Sequence, residues 1–394
     1  MISVEEARKL IAAQAMPLLE EEQTLSELLN RTLAEDVIAP IDHPLFDQSA
    51  MDGVALRASD VGTNEPLAVI GKIQAGDHNE YNIGEGEAAL IYTGAPIPNG
   101  ADAIAMREIV EVKDDKVSIA SGNAIRNGLH IRYKGEQVKT GAVAIPKDTV
   151  LNPASVGFIA SLGINVVKVI QKPKVGIVVT GNEFVDPGSE LKLGEIYESN
   201  GMMLQSALRK YGVDSTYKRC EDDEALLEKV FGEAAENNNV LLTTGGVSVG
   251  DYDFTRSTLE KLGFEVVFHK VAQKPGKPLL FMKKGDKVAF GLPGNPRAAM
   301  ISFMEYVLPY LMRLEGSNKL PYQVLKLPMK NDHRKNDDGK TYYVTGKIVE
   351  GSIEIMKGQN SHMLQSLSES DAIIVLPSDT FEYKAGDLVE VHLF

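Results

Sequence analysis

The chain has 394 residues, of which 43% are apolar and 24% charged, enough for packed cores in about two to four domains. Its 55 acidic against 41 basic residues give a net charge of −14, which excludes general binding to nucleic acid or to an anionic membrane, since no basic field attracts either. A single cysteine, Cys220, excludes an intrachain disulfide and a thiolate metal cluster. With no basic-then-apolar leader and no apolar run of about 18 residues, a cytoplasmic location is the expectation.

In chain order, Ser3 with Glu6 and Thr24 with Glu27 form capping boxes that predict two short helices. Val4, Ala7, Leu10 and Ile11 make the first apolar stripe, and Leu25, Leu28 and Leu29 begin a second. The Pro- and Asp-rich segment 39–53 is too irregular for a helix. From 54 to about 137, short apolar runs such as Leu67–Ile70 and Ala88–Tyr92 between Gly, Asn and Asp turns predict a small inserted β domain. Residues 169 to about 315 alternate strand and helix. Strands are expected at 174–179, 240–242, 266–268 and 288–290, and helices at 200–211, 224–235 and 298–314. Such alternation predicts a mostly parallel sheet covered on both faces, which binds ligands beyond the carboxyl ends of its strands. Tyr342–Val344, Ile373–Leu376 and Leu388–Leu393 return the pattern to β and predict a C-terminal sandwich or barrel.

Four loops that follow strands carry candidate chemistry. The first is Thr180-Gly-Asn-Glu183. The second is Leu241-Leu-Thr-Thr-Gly-Gly-Val-Ser-Val-Gly-Asp-Tyr-Asp253. Gly245, Gly246 and Gly250 bare backbone N–H groups before a helix, Ser248 adds a hydroxyl, and Asp251 and Asp253 follow. That combination suits a phosphate ligand bridged to carboxylates by Mg2+; the glycines alone read equally as a turn before a helix. The third loop, Lys270–Pro278, holds three lysines within eight residues together with two stiffening prolines, suited to an oxyanion or to a solvated basic turn. In the fourth, Gly291–Pro296, Asn295 and Pro296 have the grammar of a helix start. The seven histidines show no metal-ligand spacing, so protein-ligated metal chemistry is not expected from them, and there is no Gly-x-x-x-x-Gly-Lys-[Ser/Thr] loop.

Read together, Ser49-Ala-Met-Asp-Gly-Val-Ala55, Tyr92-Thr-Gly-Ala-Pro96, Thr180-Gly-Asn-Glu183, Ser199-Asn-Gly201, the glycine loop, Lys274-Pro-Gly-Lys-Pro278 and Gly291–Pro296 occur in this order. The set resembles the molybdopterin molybdenumtransferases, the molybdenum insertases also found as the E-type domain of gephyrin. The resemblance is specific to about residue 315 and fainter beyond it. It implies a multidomain α/β and β protein with four parts: an elongated N-terminal and dimerisation domain (1–42 plus 138–168), an inserted β domain (43–137), a three-layer α/β molybdopterin-binding domain (169–317) and a C-terminal β-barrel (318–394). It implies an enzyme that inserts molybdenum from molybdate into adenylylated molybdopterin and releases AMP with Mg2+. A homodimer is implied, its site lying between the α/β domain of one subunit and other domains of its partner. The pterin adenylyltransferase and molybdoenzyme maturation proteins are the further partners expected.

Carried over by position, the catalytic set is Asp52, Thr93, Glu183, Asp222, Asp253, Lys270 and Lys274. The substrate-binding set is Gly245, Gly246, Ser248, Gly250, Lys277, Pro278, Asn295 and Ser361, and the metal ligands are Asp251 and Asp253. Asp222 also reads as a helix cap, and Asp52 as a turn residue before Gly53. The chain departs from the family pattern at Asn182, Gln137 and Ala298, and an expected C-terminal arginine aligns near Thr345, with Arg297 as a candidate replacement. Two alternatives stay open: a related pterin- or nucleotide-processing enzyme, and a non-catalytic dimeric scaffold.

Overall fold

A computed structural model describes residues 1–62, 65–246 and 254–393. The chain forms two compact units. One contains residues 1–34, 148–151 and everything from Lys168; the other contains 35–147 and 152–167.

The first unit is built on a six-stranded sheet in the order Ser215–Cys220, Val175–Thr180, Val240–Thr244, Lys287–Leu292, Leu280–Lys284, Glu265–His269. The first four strands are mutually parallel. Leu280–Lys284 runs antiparallel to both of its neighbours, so Glu265–His269 points the same way as the other four. The strands alternate between two buried faces. Val175, Ile177 and Val179 join one core while Val178 joins the other, and Val240 and Leu242 oppose Leu241 in the same way. Burial on both faces is why these strands read as unbroken apolar runs. One face is covered by Asn200–Lys210 and by the helical stretch Pro296–Leu314, the other by Glu224–Asn237 and Phe254–Lys261.

The first helix, Val4–Ala12, forms as the sequence predicts, with Ser3 Oγ accepting the Glu6 N–H at 3.1 Å. Val4, Ala7 and Ile11 join the α/β core, so residues 1–34 share a unit with that domain rather than with 138–147. The second expected helix is absent. Glu20–Thr24 is a strand and Leu25–Glu27 a single 3-10 turn. Thr24 bonds Ser26 Oγ (3.1 Å) instead of capping. Of its apolar stripe only Leu28 is buried, and Asn30 turns left-handed (φ 61°), so no helix face exists to continue. The long C-terminal helix of the domain widens to a π turn over Phe303–Val307, where Leu308 N–H reaches Phe303 O. Pro309 lacks the N–H an unbroken ladder needs and its ring crowds the preceding turn.

The C-terminal sheet runs Gln273–Lys274, Thr341–Val349, Ala372–Leu376, Leu388–Leu393, Gln323–Pro328, with Ser352–Ile355 on the other edge of Thr341–Val349. A bridge from Met329 to Ile353 closes it into a small barrel around Val344, Ile374 and Val391. Two devices join this barrel to the α/β domain. Gln273–Lys274 pairs in parallel with Thr341–Tyr342. Glu305, 1% exposed, bonds Arg8 (2.5 Å) from the first helix and His392 Nδ1 (2.8 Å) from the barrel. His392 also reaches Glu390 at 3.0 Å and stacks on Tyr322.

The second unit contains the sheet Ala103–Met106, Gly53–Leu56, Glu87–Ile91, Leu67–Ile73, Lys116–Ile119, Val110–Lys113. Val54 and Leu56 face one core, Ala55 the other. A helix that the sequence reading did not name, Pro153–Ser161, starts on Asn152, whose side chain accepts the Ser155 N–H at 2.9 Å.

Glu315, 4% exposed, has a carboxyl pushed from 4.5 to about 7 by burial, against Lys172 and Arg31, and its Oε1 has no partner among the described residues. A carboxyl whose folded pKa exceeds its unfolded value stabilises the fold at low pH. That contribution is lost as pH rises from 4.5 to about 7, at most about 3 kcal/mol. We expect Glu315→Gln to melt with the wild type below that window and at a higher temperature than it at pH 8, as read by thermal scans at both pH values.

Candidate functional site

The common strand direction places the loops after Thr180, Cys220, Thr244, His269 and Leu292 on one rim of the sheet. The first two are tied together, since Asn182 Oδ1 accepts the Asp222 N–H at 3.0 Å. An aspartate at position 182 would accept the same bond while adding a negative charge, so this departure from the family pattern keeps the geometry. Asp222 is not the helix cap. Asp223 is, with its Oδ1 on the Leu226 N–H at 2.8 Å. The Asp222 carboxyl is pushed upward by burial and then by the nearby Glu183 carboxylate. Two carboxylates that disfavour each other's charge suit a hard cation with oxygen ligands.

The glycine loop leaves its strand under a close constraint. Gly245 has φ 91°, and a Cβ there would lie 2.5 Å from Thr180 O. Gly294 packs on it from the fourth loop. Asn200, 3% exposed, donates to Gly294 O at 2.8 Å, and its Oδ1 lacks a partner among the described residues. The sequence reading quoted Asn200 within a motif but did not place it in the site; its pairing with a loop almost a hundred residues away leaves no local signal. Ser248, Gly250, Asp251 and Asp253 lie outside the described residues.

The lysine loop is anchored at its base and open at its tip. Gln273 is fully buried, donating to Pro275 O and Gly276 O (both 3.2 Å) and accepting from Tyr306. Lys270 adopts φ 74°, a conformation most side chains resist, with its N–H on Leu279 O at 2.9 Å and its carbonyl accepting the Ile2 N–H. Lys274 and Lys277 are exposed and Pro278 half-buried. Among the described residues none of the three lysines has an acidic partner. Lys274 Nζ lies 5.1 Å from the Tyr342 ring centroid, and so does Lys335 Nζ from the barrel. Lys335, 4% exposed and unremarked in the sequence, has its pKa lowered by burial.

In the fourth loop, Asn295 occupies the cap position without capping. Its Nδ2 donates to Ser361 Oγ at 2.9 Å, bringing two predicted binding residues together. Arg297 does not reach toward a ligand. It is buried, with its guanidinium on Gln359 and Tyr343 O.

In the other unit, Asp52 and Thr93 are each other's partners. The Thr93 N–H and hydroxyl both donate to Asp52 Oδ1, at 2.9 and 2.7 Å. These bonds hold the Asp52 carboxyl below the ordinary range, helped by Arg107. Gly53 next to it has no alternative, because a Cβ would lie 2.0 Å from Ala105 O. A cavity of about 360 Å³ lies here, lined by Asp52, Tyr92, Arg107 and apolar side chains. Among the described residues no three His, Cys, Asp or Glu side chains group to hold a metal, and no helix is long and apolar enough to cross a membrane.

Three family descriptions match successive parts of the chain. They are the MoeA N-terminal region (domain I and II) over residues 2–163, the probable molybdopterin binding domain over 176–313, and the MoeA C-terminal region (domain IV) over 328–394. The chain is 36% identical over 408 aligned residues to the molybdopterin molybdenumtransferase of Haemophilus influenzae, covering 100% of this chain and 99% of the relative. It is 34% identical over 402 residues to that of Staphylococcus aureus, covering 100% and 95%. The crystal structure of the molybdopterin biosynthesis moeA protein from Pyrococcus horikoshii OT3 matches with a TM-score of 0.86 at 30% identity, covering both chains in full.

The Gly245 contact sets a test. Gly245→Ala should destabilise the protein by about 1–3 kcal/mol. Gly188→Ala, at a similar φ of 94° but with nothing within 4 Å, should cost less. Chemical unfolding of the two variants measures the difference, and equal losses would mean that Thr180 O can yield.

Proposed function

The chain belongs to the molybdopterin molybdenumtransferase family, and we propose that it inserts molybdenum from molybdate into adenylylated molybdopterin with release of AMP. It is a transferase of molybdenum cofactor biosynthesis; the proposal concerns the substrates, the ion and the assembly. One observation carries it: a single rim presents ammonium groups that have no acidic partner among the described residues, tight glycine turns and two neighbouring carboxylates.

That set suits an anionic substrate pair. The glycine loop and Lys274 would hold the anhydride phosphates, with Lys270 and Lys277 facing the molybdate dianion. A water or molybdate oxygen held in line forms a bond to phosphorus as the anhydride bond breaks and AMP leaves. The residues then act by position and charge. Glu183 and Asp222 offer oxygen donors that fit Mg2+, together with Asp251 and Asp253. When bound, this ion would supply neutralisation of the phosphate charge. Molybdenum itself is a soft-ligand cargo that the pterin's own sulfurs can take, so the protein needs no thiolate for it. Cys220 is buried and its thiol pKa pushed up by burial. Homodimerisation, a cytoplasmic location and exchange with the pterin adenylyltransferase and molybdoenzyme maturation proteins complete the proposal.

Purified protein given adenylylated molybdopterin, molybdate and Mg2+ should release AMP, and a chelator should stop it. Lys274→Ala should slow release by about ten- to a hundredfold, the effect of losing a charged hydrogen bond. Absence of AMP at every molybdate concentration would favour the scaffold reading. In sedimentation equilibrium the protein should run at about twice its chain mass of 42.9 kDa; a monomer would remove the dimer from the proposal.

A further inference from the structure

Arg297 is 0% exposed, yet among the described residues it faces no carboxylate. Its guanidinium donates to three neutral oxygens: Gln359 O (2.6 Å), Gln359 Oε1 (2.5 Å) and Tyr343 O (3.1 Å). Its Nε has no partner among the described residues. Burial pulls its pKa down to about 10, so it stays protonated at neutral pH. Removing a guanidinium from water without a counter-ion is costly, and neutral donors would satisfy three carbonyl-type oxygens at lower cost. The charge therefore calls for a role beyond packing.

What it holds is Ser361. The Arg297 N–H donates to Ser361 O at 3.1 Å, and Asn295 Nδ2 donates to Ser361 Oγ at 2.9 Å. Between Arg297 and Ser361 the chain is locked through Gln359. Its Nε2 donates to Thr345 Oγ1 (2.9 Å), Thr345 O (3.1 Å) and Met356 O (2.8 Å), and its Oε1 also accepts the Thr345 N–H (3.1 Å). Because the Ser361 oxygen already accepts from Asn295, its own proton is left to donate. The lysine loop lies against the same helix, since a Cβ on Gly276 would sit 2.8 Å from Ser302 Oγ and 3.7 Å from Ala298 O. Ala298 carries no hydroxyl of its own.

We infer that Arg297 is a positioning residue that fixes the Ser361 hydroxyl, from the barrel, as a proton donor to the tetrahedral oxyanion, while its charge, without a carboxylate partner among the described residues, favours that anion at the lysine loop. This inference rests on the proposed function for the identity of the anion. The planar fork of arginine suits the task, because it engages two oxygens of one residue while leaving its backbone free to hold Ser361.

The test is the split between substrates in AMP release. Arg297→Met should raise the KM for molybdate about ten- to a hundredfold and leave the KM for adenylylated molybdopterin unchanged. Ser361→Ala should do the same, and the double variant should be no worse than the worse single one. Multiplying effects, or equal changes in both KM values, would overturn the inference. If Arg297→Met does not fold, Arg297→Lys keeps the charge but loses the planar fork on Gln359, and should raise the molybdate KM alone; an unchanged KM would count against the positioning role. Should the wild type release no AMP, the functional reading fails, and calorimetric titration with molybdate decides the inference separately. Binding that weakens in Arg297→Met and Ser361→Ala supports it, and no wild-type binding, or equal binding by all three, overturns it.

Discussion

The direction of the backbone in one sheet governs the rest of this protein. Five of six strands of the α/β domain end on the same rim, and the sixth, Leu280–Lys284, starts there. Parallel pairing requires a crossover between strands, and those crossovers are the helices that bury both faces. With both faces covered, the rim is where loops can hold unpaired polar groups against solvent and ligand. The reversed strand matters as much. It makes the lysine segment a connection across the rim, from His269 to Leu280, so its ammonium groups stay on the side of the glycine loop and the carboxylates.

A rim of loops is only as rigid as its attachments. Gln273–Lys274 is a strand of the barrel sheet although its neighbours in sequence belong to the α/β domain. Buried Gln273 gathers the loop backbone around itself, and Arg297 binds the barrel segment 359–361 back to the fourth loop. Behind these, Glu305 joins the first helix, the last helix of the α/β domain and the barrel through Arg8 and His392. A buried carboxylate with two charged or chargeable partners is costly to form and costlier to break by removing one partner. It specifies which three segments meet.

Electrostatics resolve the tension between a chain of charge −14 and an anionic substrate. Local ammonium groups, without acidic partners among the described residues, dominate at short range, since screening hides charges beyond roughly 8 Å at physiological salt. On the opposite side of the balance, Glu183 and Asp222 repel each other's charge. Asn182 holds the Asp222 backbone without adding a third carboxylate. Thr93 shows the converse device, two donors on one oxygen that keep Asp52 ionised.

The amino-acid sequence by itself determined what depends on neighbours along the chain. Double-sided apolar runs marked the strands, Ser3 marked a helix start, and glycines and lysines after strands marked the rim loops, because period and local hydrogen bonding are written in consecutive residues. The same local grammar misled where burial did not follow. Thr24 to Leu29 has the letters of a helix start, but the core receives Leu28 alone and leaves Leu29 half exposed. Asn295 has the letters of a cap, but a barrel serine takes its amide. Only the tertiary structure decided the long-range pairs: Asn182 with Asp222, Asn200 with Gly294, Asn295 with Ser361, and Arg297 with Gln359. Their partners are separated by forty to ninety-four residues, and the desolvation that gives each its strength does not exist until the two segments have packed.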